Sequence, residues 1–319
     1  MTKLHTIIGA NGAIGRATLQ AAQQANLPVR AVNRTTPHPE VTTIIGDMRR
    51  PDDADRAIAE SSHVYLCLGL PYRSKIWQRD WPLIMEHAIR ACAKNGAALI
   101  FFDNAYMYGP PPLPVPFDEQ TPQKPVTSKG QTRQKTAQLM EKAMAEGIIQ
   151  GVIGRSADFY GEAAVNSPLY ISFLQRMLSG KAPQSLGKPQ VPHTYAHTGT
   201  NGRALIALAQ APDTWGQVWH LPVDRPITFE EVAALINQEL GTNHTVQFLS
   251  PTLQKLLSLF MRSLSEVREM NDQFTQPYHM DDRKFRNRFP KFHSTPYEKG
   301  IPQMVAYFRD TDHPAKSNL

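Results

Sequence analysis

The sequence predicts an α/β protein, a doubly wound parallel sheet with a smaller, mostly C-terminal α/β lobe, and three observations carry that reading. Short apolar, β-branched runs alternate with segments of helical periodicity from Leu4 to Ser156. The first run passes into a helix across three glycines, Gly9, Gly12 and Gly15. The chain has 319 residues, 41% of them hydrophobic, enough for a large core and a second lobe. The division this suggests is 1–160 for the main body and 161–319 for the lobe, with 190–225 returning to the main sheet.

Leu4–Ile8 suits a central strand and Ala13–Ala25 a helix of small residues. Between them Gly9 permits a sharp turn, Gly12 lets backbone approach a pyrophosphate, and Gly15 lets the helix pack closely on the strand. Asn11, Ala13 and Ile14 complete the turn, and the free N–H groups of the helix N-terminus offer donors to phosphate. A glycine triplet carries weight only between a strand and a helix, which is its context here. The GxxGxxG spacing resembles that of the short-chain dehydrogenase/reductase superfamily, and its N-terminal position is similar to the extended branch, the NAD-dependent epimerase/dehydratase type. The resemblance implies a Rossmann domain that binds a nicotinamide dinucleotide.

Pro28–Asn33 reads as the second strand, ending where the adenine ribose of such a cofactor lies. A carboxylate at that point would favour NAD; Asn33 and Arg34 are neutral and cationic, which favours NADP, with NAD the alternative. Arg16 is a second candidate for the extra phosphate. Val41–Ile45 is the third strand, and the resemblance places Asp47, with Met48 beside it, against the adenine; Asp47 is equally suited to cap a helix starting at Pro51. His63–Leu68 is the fourth strand, and by resemblance Leu68, Gly69 and Leu70 border the cofactor. A helix over 75–94 carries Trp77, Trp81, Ile84, Met85 and Ala88 on one apolar face and ends at Asn95-Gly96, before a fifth strand at Ala97–Phe102.

Catalytic groups belong beyond the carboxyl ends of these strands. The segment FFDNAYMYG (101–109) resembles the extended family's SS-x-x-x-YG, which puts Asn104 in place of the carbonyl-polarising hydroxyl; its amide N–H still donates. In TSKGQTRQKTAQLM (127–140) the family's Tyr-x-x-x-Lys pair is matched by Lys129 and Arg133. Arg133 suits the nicotinamide ribose but does not deprotonate, and Lys129 relays a proton only if its environment lowers its pKa. Tyr106 and Tyr160 are the phenols left as proton donors. The proline-rich stretch 110–116 and the acidic loop 117–125 resemble the cover over extended-family sites, or form a plain surface connection.

Gly151–Ser156 is the sixth strand, and Arg155 to Gly161 resembles the family's R-x-x-x-x-YG entry into the substrate lobe. There follow an amphipathic helix at 169–178, a strand at 191–196, a helix at 202–210, a strand at 217–221 and a helix over 228–240 capped by Thr228. His193 and His197 lack the carboxylate or cysteine company of a metal site, so none is expected. From Pro251 to Phe274 runs an apolar helical surface that would wall a pocket, bury a homodimer contact or pack on the sheet; the tail after Asp312 reads as frayed.

The net charge of +6 suits an anionic cofactor, but it is spread along the chain. Arg283–Lys291 interleaves cations with Phe285 and Phe289 and reads as a solvated face, so nucleic acid is not an expected partner. No stretch reaches the ~20 apolar residues of a membrane helix, the first strand leaves no room for a leader, and Cys67 and Cys92 read as buried thiols of a reducing compartment. The expectation is a cytoplasmic NADP-dependent oxidoreductase acting on a small carbonyl or hydroxyl compound. The alternatives are a noncatalytic NADP-binding redox sensor and a nucleotide-sugar epimerase/dehydratase.

Overall fold

The computed structural model describes residues 3–250 and 271–310. In chain order the main body comprises β1 (His5–Ile8), α1 (Ala13–Gln24), β2 (Val29–Asn33), β3 (Thr43–Ile45), α2 (Pro51–Ile58), β4 (His63–Leu66), α3 (Ser74–Asn95), β5 (Ala98–Asn104), α4 (Ser128–Ala145) and β6 (Gly151–Ser156). The lobe segment adds β7 (Phe159–Tyr160), a π-helical turn at Tyr170–Leu174 running into α5 (Gln175–Leu178), β8 (Gln184–Ser185), β9 (Ala196–His197), α6 (Thr198–Ala209), β10 (Val218–His220), α7 (Phe229–Leu240) and β11 (Gln247–Phe248). Helices Asn271–Thr275, Arg283–Arg288 and Tyr297–Asp310 follow.

Seven strands form one parallel sheet in the order β10-β6-β5-β4-β1-β2-β3. Strand alternation sends Ile8 with Val32, Leu66 and Phe101 to the face under α2, α3 and α4, and Ile7 with Tyr65 and Ile100 to the face under α1 and α6. Chain order reverses between β1 and β4, which opens a crevice at their carboxyl ends. The segment 190–225 contributes α6, packed on α1, and β10 at the edge of this sheet. A separate core gathers Phe173, Phe229, Ile236, Tyr297 and Met304 in the lobe.

Local signals account for most boundaries. Thr127 caps α4 through the Gly130 N–H, Gly96 ends α3 in the left-handed region, and Thr228 with Glu231 forms a reciprocal capping box on α7. Three elements differ from expectation, the first being the helix read at 169–178, which opens as the π-helical turn Tyr170–Leu174 before the four residues of α5. The strand read at 191–196 shrinks to Ala196–His197, because Pro192 removes a ladder donor and His193 forms only isolated bridges to Ile227 and Tyr278. The helix read from Gly202 begins at Thr198, where His197 Nδ1 accepts the Gly199 N–H at 3.2 Å. The apolar surface read at 251–274 lies outside the described residues up to 270, as does the tail from 311. Among the described residues no helix is long and apolar enough to cross a membrane.

Candidate active site

The turn after β1 is built by backbone. Gly9 sits at φ +82° against Leu68, and a Cβ on Gly15 would lie 2.1 Å from the Gly9 carbonyl oxygen, so strand and helix touch without side chains between them. Gly12 is the α1 N-cap and supplies no side-chain bond, leaving the first N–H groups of the helix to an outside acceptor. Asn11 N–H donates to Asn33 Oδ1 at 3.1 Å and Asn11 Nδ2 to the Thr36 carbonyl at 2.9 Å. Asn11 Oδ1 and Asn33 Nδ2 stay buried without a partner. An unpartnered acceptor and donor beside a bare helix N-terminus fit the hydroxyls and phosphates of a dinucleotide. Arg16 Nε donates to the Asn11 carbonyl at 3.3 Å, and Arg34 is exposed.

Asp47 does not cap α2. Its carboxylate takes Arg49 Nε at 2.9 and 3.1 Å, and those bonds hold its pKa below the usual range. The α2 N-cap is Arg50, with no side-chain cap, and the Asp47 N–H instead donates to Asp53 at 2.9 Å. Met48 is buried and its carbonyl accepts from His87 Nδ1.

From this turn one cavity of about 600 Å³ runs past the β4 and β5 ends into the lobe. Asn11, Gly12, Ala13, Ile14, Leu68, Gly69 and Leu70 line its first part; Asp47, Met48 and Arg34 lie off it. Asn104 and Tyr106 line the middle. Asn104 Oδ1 accepts the Tyr106 N–H at 3.2 Å, which leaves the amide nitrogen as the donor. Tyr106 accepts from the Tyr72 hydroxyl at 3.5 Å and stacks on Trp77. Burial, then the neighbouring Tyr72 and Asp158, push its phenol well above the ordinary value, so it stands protonated.

Of the helical pair one turn apart on α4, Arg133 lines the cavity and Lys129 lies off it. Lys129 is fully buried; its Nζ lies 3.0 Å from Ser74 Oγ and 4.5 Å from the Tyr72 ring centre. Arg133 packs on Trp81 and Phe101 and pairs with Asp103, through Nε at 2.9 Å and a closer Nη2 contact. Asp103 also takes Arg155 Nε at 3.3 Å, Arg155 donates to Tyr108 at 2.9 Å, and Tyr108 lies 2.6 Å from His220 Nε2. A buried chain of charge thus underlies the centre of the cavity. It was invisible in the α4 motif, because the partners of Arg133 in it come from β5, β6, β10 and the loop after β5. The acidic loop is tied to it by Glu119, which accepts the His220 N–H at 2.7 Å.

Tyr160 lies off the cavity. It stacks on Tyr297 in the lobe core, so near Gly300 that a Cβ there would meet its hydroxyl at 2.5 Å. The lobe part of the cavity is walled by Phe159, Phe173, Phe229, Phe274 and Tyr307, with Asp158 its single charged side chain among the described residues. His193 stands 3.5 Å from Asp158 and stacks on Tyr278. The basic run lies on the surface over the buried Phe285: the exposed Arg286 pairs with Asp282, Arg288 with Asp213, and Lys284 donates to the Val218 carbonyl.

Residues 5–217 match the model of the NAD dependent epimerase/dehydratase family. Among curated proteins no sequence matches the chain significantly. Among solved structures, the Bordetella bronchiseptica enzyme WbmH in complex with NAD+ is similar over 97% of this chain and 99% of its own, with a TM-score of 0.78 and 17% identity. UDP-glucose 4-epimerase from Thermotoga maritima, with UDP-glucose, covers 96% and 99% at a TM-score of 0.79 and 16% identity. The dTDP-glucose 4,6-dehydratase of Bacillus anthracis in complex with NAD covers 97% of both chains at a TM-score of 0.79 and 13% identity. At these identities the likeness is one of fold.

Proposed function

The chain belongs to the NAD dependent epimerase/dehydratase family, and within it we propose an enzyme that uses a nicotinamide dinucleotide to exchange hydride at a carbon bearing a hydroxyl or carbonyl group. The observation that carries this reading is the single cavity, which joins the glycine turn, the Asn104–Tyr106 centre and the lobe without a wall between them. When bound, the dinucleotide would supply hydride chemistry. Asn11, Gly12 and the α1 N-terminus would hold its phosphates, and Asn33 a ribose hydroxyl. Arg34 and Arg16 support NADP ahead of NAD, although two of the solved structures cited above, WbmH and the dTDP-glucose 4,6-dehydratase, contain NAD.

Asn104 donates to the substrate oxygen, and Tyr106, kept protonated by burial, gives that oxygen its proton. The family and its solved relatives favour epimerase or dehydratase chemistry over the carbonyl reductase expected from the sequence. The walls of the lobe favour a substrate without a nucleoside diphosphate, since among the described residues they offer no lysine or arginine to hold one. Nicotinamide absorbance during turnover tests the reading. A transient that returns to baseline marks redox-neutral conversion and a steady decline marks net reduction. Tyr106→Phe is expected to lower either rate ~100-fold or more while dinucleotide affinity is kept. Binding without any spectral response to candidate substrates would leave the redox sensor as the better reading.

A further inference from the structure

The lobe end of the cavity holds one feature that hydride exchange does not explain. Asp158, just after the β6 exit, is 9% exposed and lines a wall otherwise made, among the described residues, of aromatic rings, aliphatic side chains and neutral polar groups. A buried carboxylate is costly unless donors satisfy it, and it can accept about four hydrogen bonds. The described residues supply little. Gln273 Nε2 donates to Oδ2 at 2.5 Å, and His193 Nε2 lies 3.5 Å from the same oxygen. Among the described residues no hydrogen bond to Oδ1 is found. Around it both ring nitrogens of His193 and the hydroxyls of Tyr195 and Tyr278 are buried without a hydrogen-bond partner. Of these groups Asp158 alone lines the cavity, so the unmet acceptor capacity of its carboxylate, in surroundings short of donors, points to a polar group arriving with the ligand.

We propose that Asp158 is a specificity-determining residue, accepting a hydrogen bond from a hydroxyl or ammonium group of an otherwise apolar, ring-bearing substrate, and that the same carboxylate turns away anionic ligands. Phe159 and Phe274 on the same wall suit a ring, and an ammonium beside such faces gains further attraction. The inference rests on the proposed function for the presence of a substrate in this cavity. It goes further in fixing which end of the substrate is polar and what sign of charge is tolerated.

Four probes on one scaffold test it: acetophenone and its meta-hydroxy, meta-aminomethyl and meta-carboxy derivatives, titrated into the dinucleotide-loaded protein with ligand-observed NMR as the readout. A hydrogen bond to a charged group predicts that a donor-bearing probe binds ~tenfold or more tightly than the parent, with the carboxylate weakest. Comparing hydroxyl with aminomethyl says which donor the site prefers. Asp158→Asn is expected to collapse this ranking. Its melting temperature and dinucleotide affinity report whether the variant is folded, and the wild-type ranking stands as a test even if it is not. Equal affinities, a carboxylate probe that binds tightest, no binding by any probe, or a folded Asp158→Asn that keeps the ranking would overturn the proposal. Failure of the proposed function itself would appear separately, as loss of dinucleotide binding.

Discussion

The two ends of the main body's active face are made of different materials. Around Gly9–Gly15 the site is backbone, shaped by the absence of side chains and by the free end of α1. At the centre it is side chains, with Asp103, Arg133, Arg155, Tyr108 and His220 brought together from distant segments. A backbone site tolerates little substitution, because any Cβ at Gly15 meets a carbonyl. A side-chain network can be rewritten so long as its charges stay paired. That explains how α4 keeps the spacing of a catalytic pair while Lys129 and Arg133 serve buried contacts.

Breaking the network should have the largest effect. Asp103→Ala leaves two guanidiniums, each at most 3% exposed, without their shared carboxylate, and a loss of ~3–5 kcal/mol in unfolding free energy is expected from denaturant titration. A change within experimental scatter would mean the centre does not depend on paired charge. Breaking the backbone end comes next. Gly15→Ala should cost ~1–3 kcal/mol through overpacking and weaken dinucleotide binding, while the Tyr106 environment, followed by tyrosine fluorescence, stays as it was.

Acidification sharpens the comparison with a smaller effect. Burial lowers the pKa of His220 to about 3 and those of His5 and His197 to about 4, from an ordinary 6.5. His220 is locked neutral between Tyr108 and the Asp281 carbonyl. Between the folded and unfolded values the unfolded chain binds more protons, so stability falls as pH drops below about 6.5. The melting temperature should decline from pH 7 to pH 4 by several degrees. His220→Gln should flatten part of that slope, whereas a slope unchanged by the substitution would place the acid sensitivity elsewhere.

What the sequence made legible follows the same divide. Parallel strands, the glycine turn and the α7 cap are local, and each stands where its residues predict. The strand at 191–196 failed on one proline, and Asp47 failed as a cap because Arg49, two residues on, is the stronger partner. Asp103 and Arg155 lay in plain view within FFDNAYMYG and RSADFYG, yet nothing in either segment says that they meet Arg133. Tyr72 and Ser74 carry no motif, and only the fold brings them to Lys129. Asp158 had a signal, since it sits in the segment that resembles the family's entry into the lobe, but its standing as the one charged side chain of the lobe walls among the described residues is a property of the assembled cavity.

Calorimetric titration with NADP and NAD, on the wild type and on Arg34→Ala, tests the backbone end on which the proposed chemistry depends. Both dinucleotides should bind, NADP ~tenfold more tightly, and the substitution should erase that preference without abolishing NAD binding. No heat from either dinucleotide at millimolar concentration would contradict the reading of the glycine turn and everything built on it.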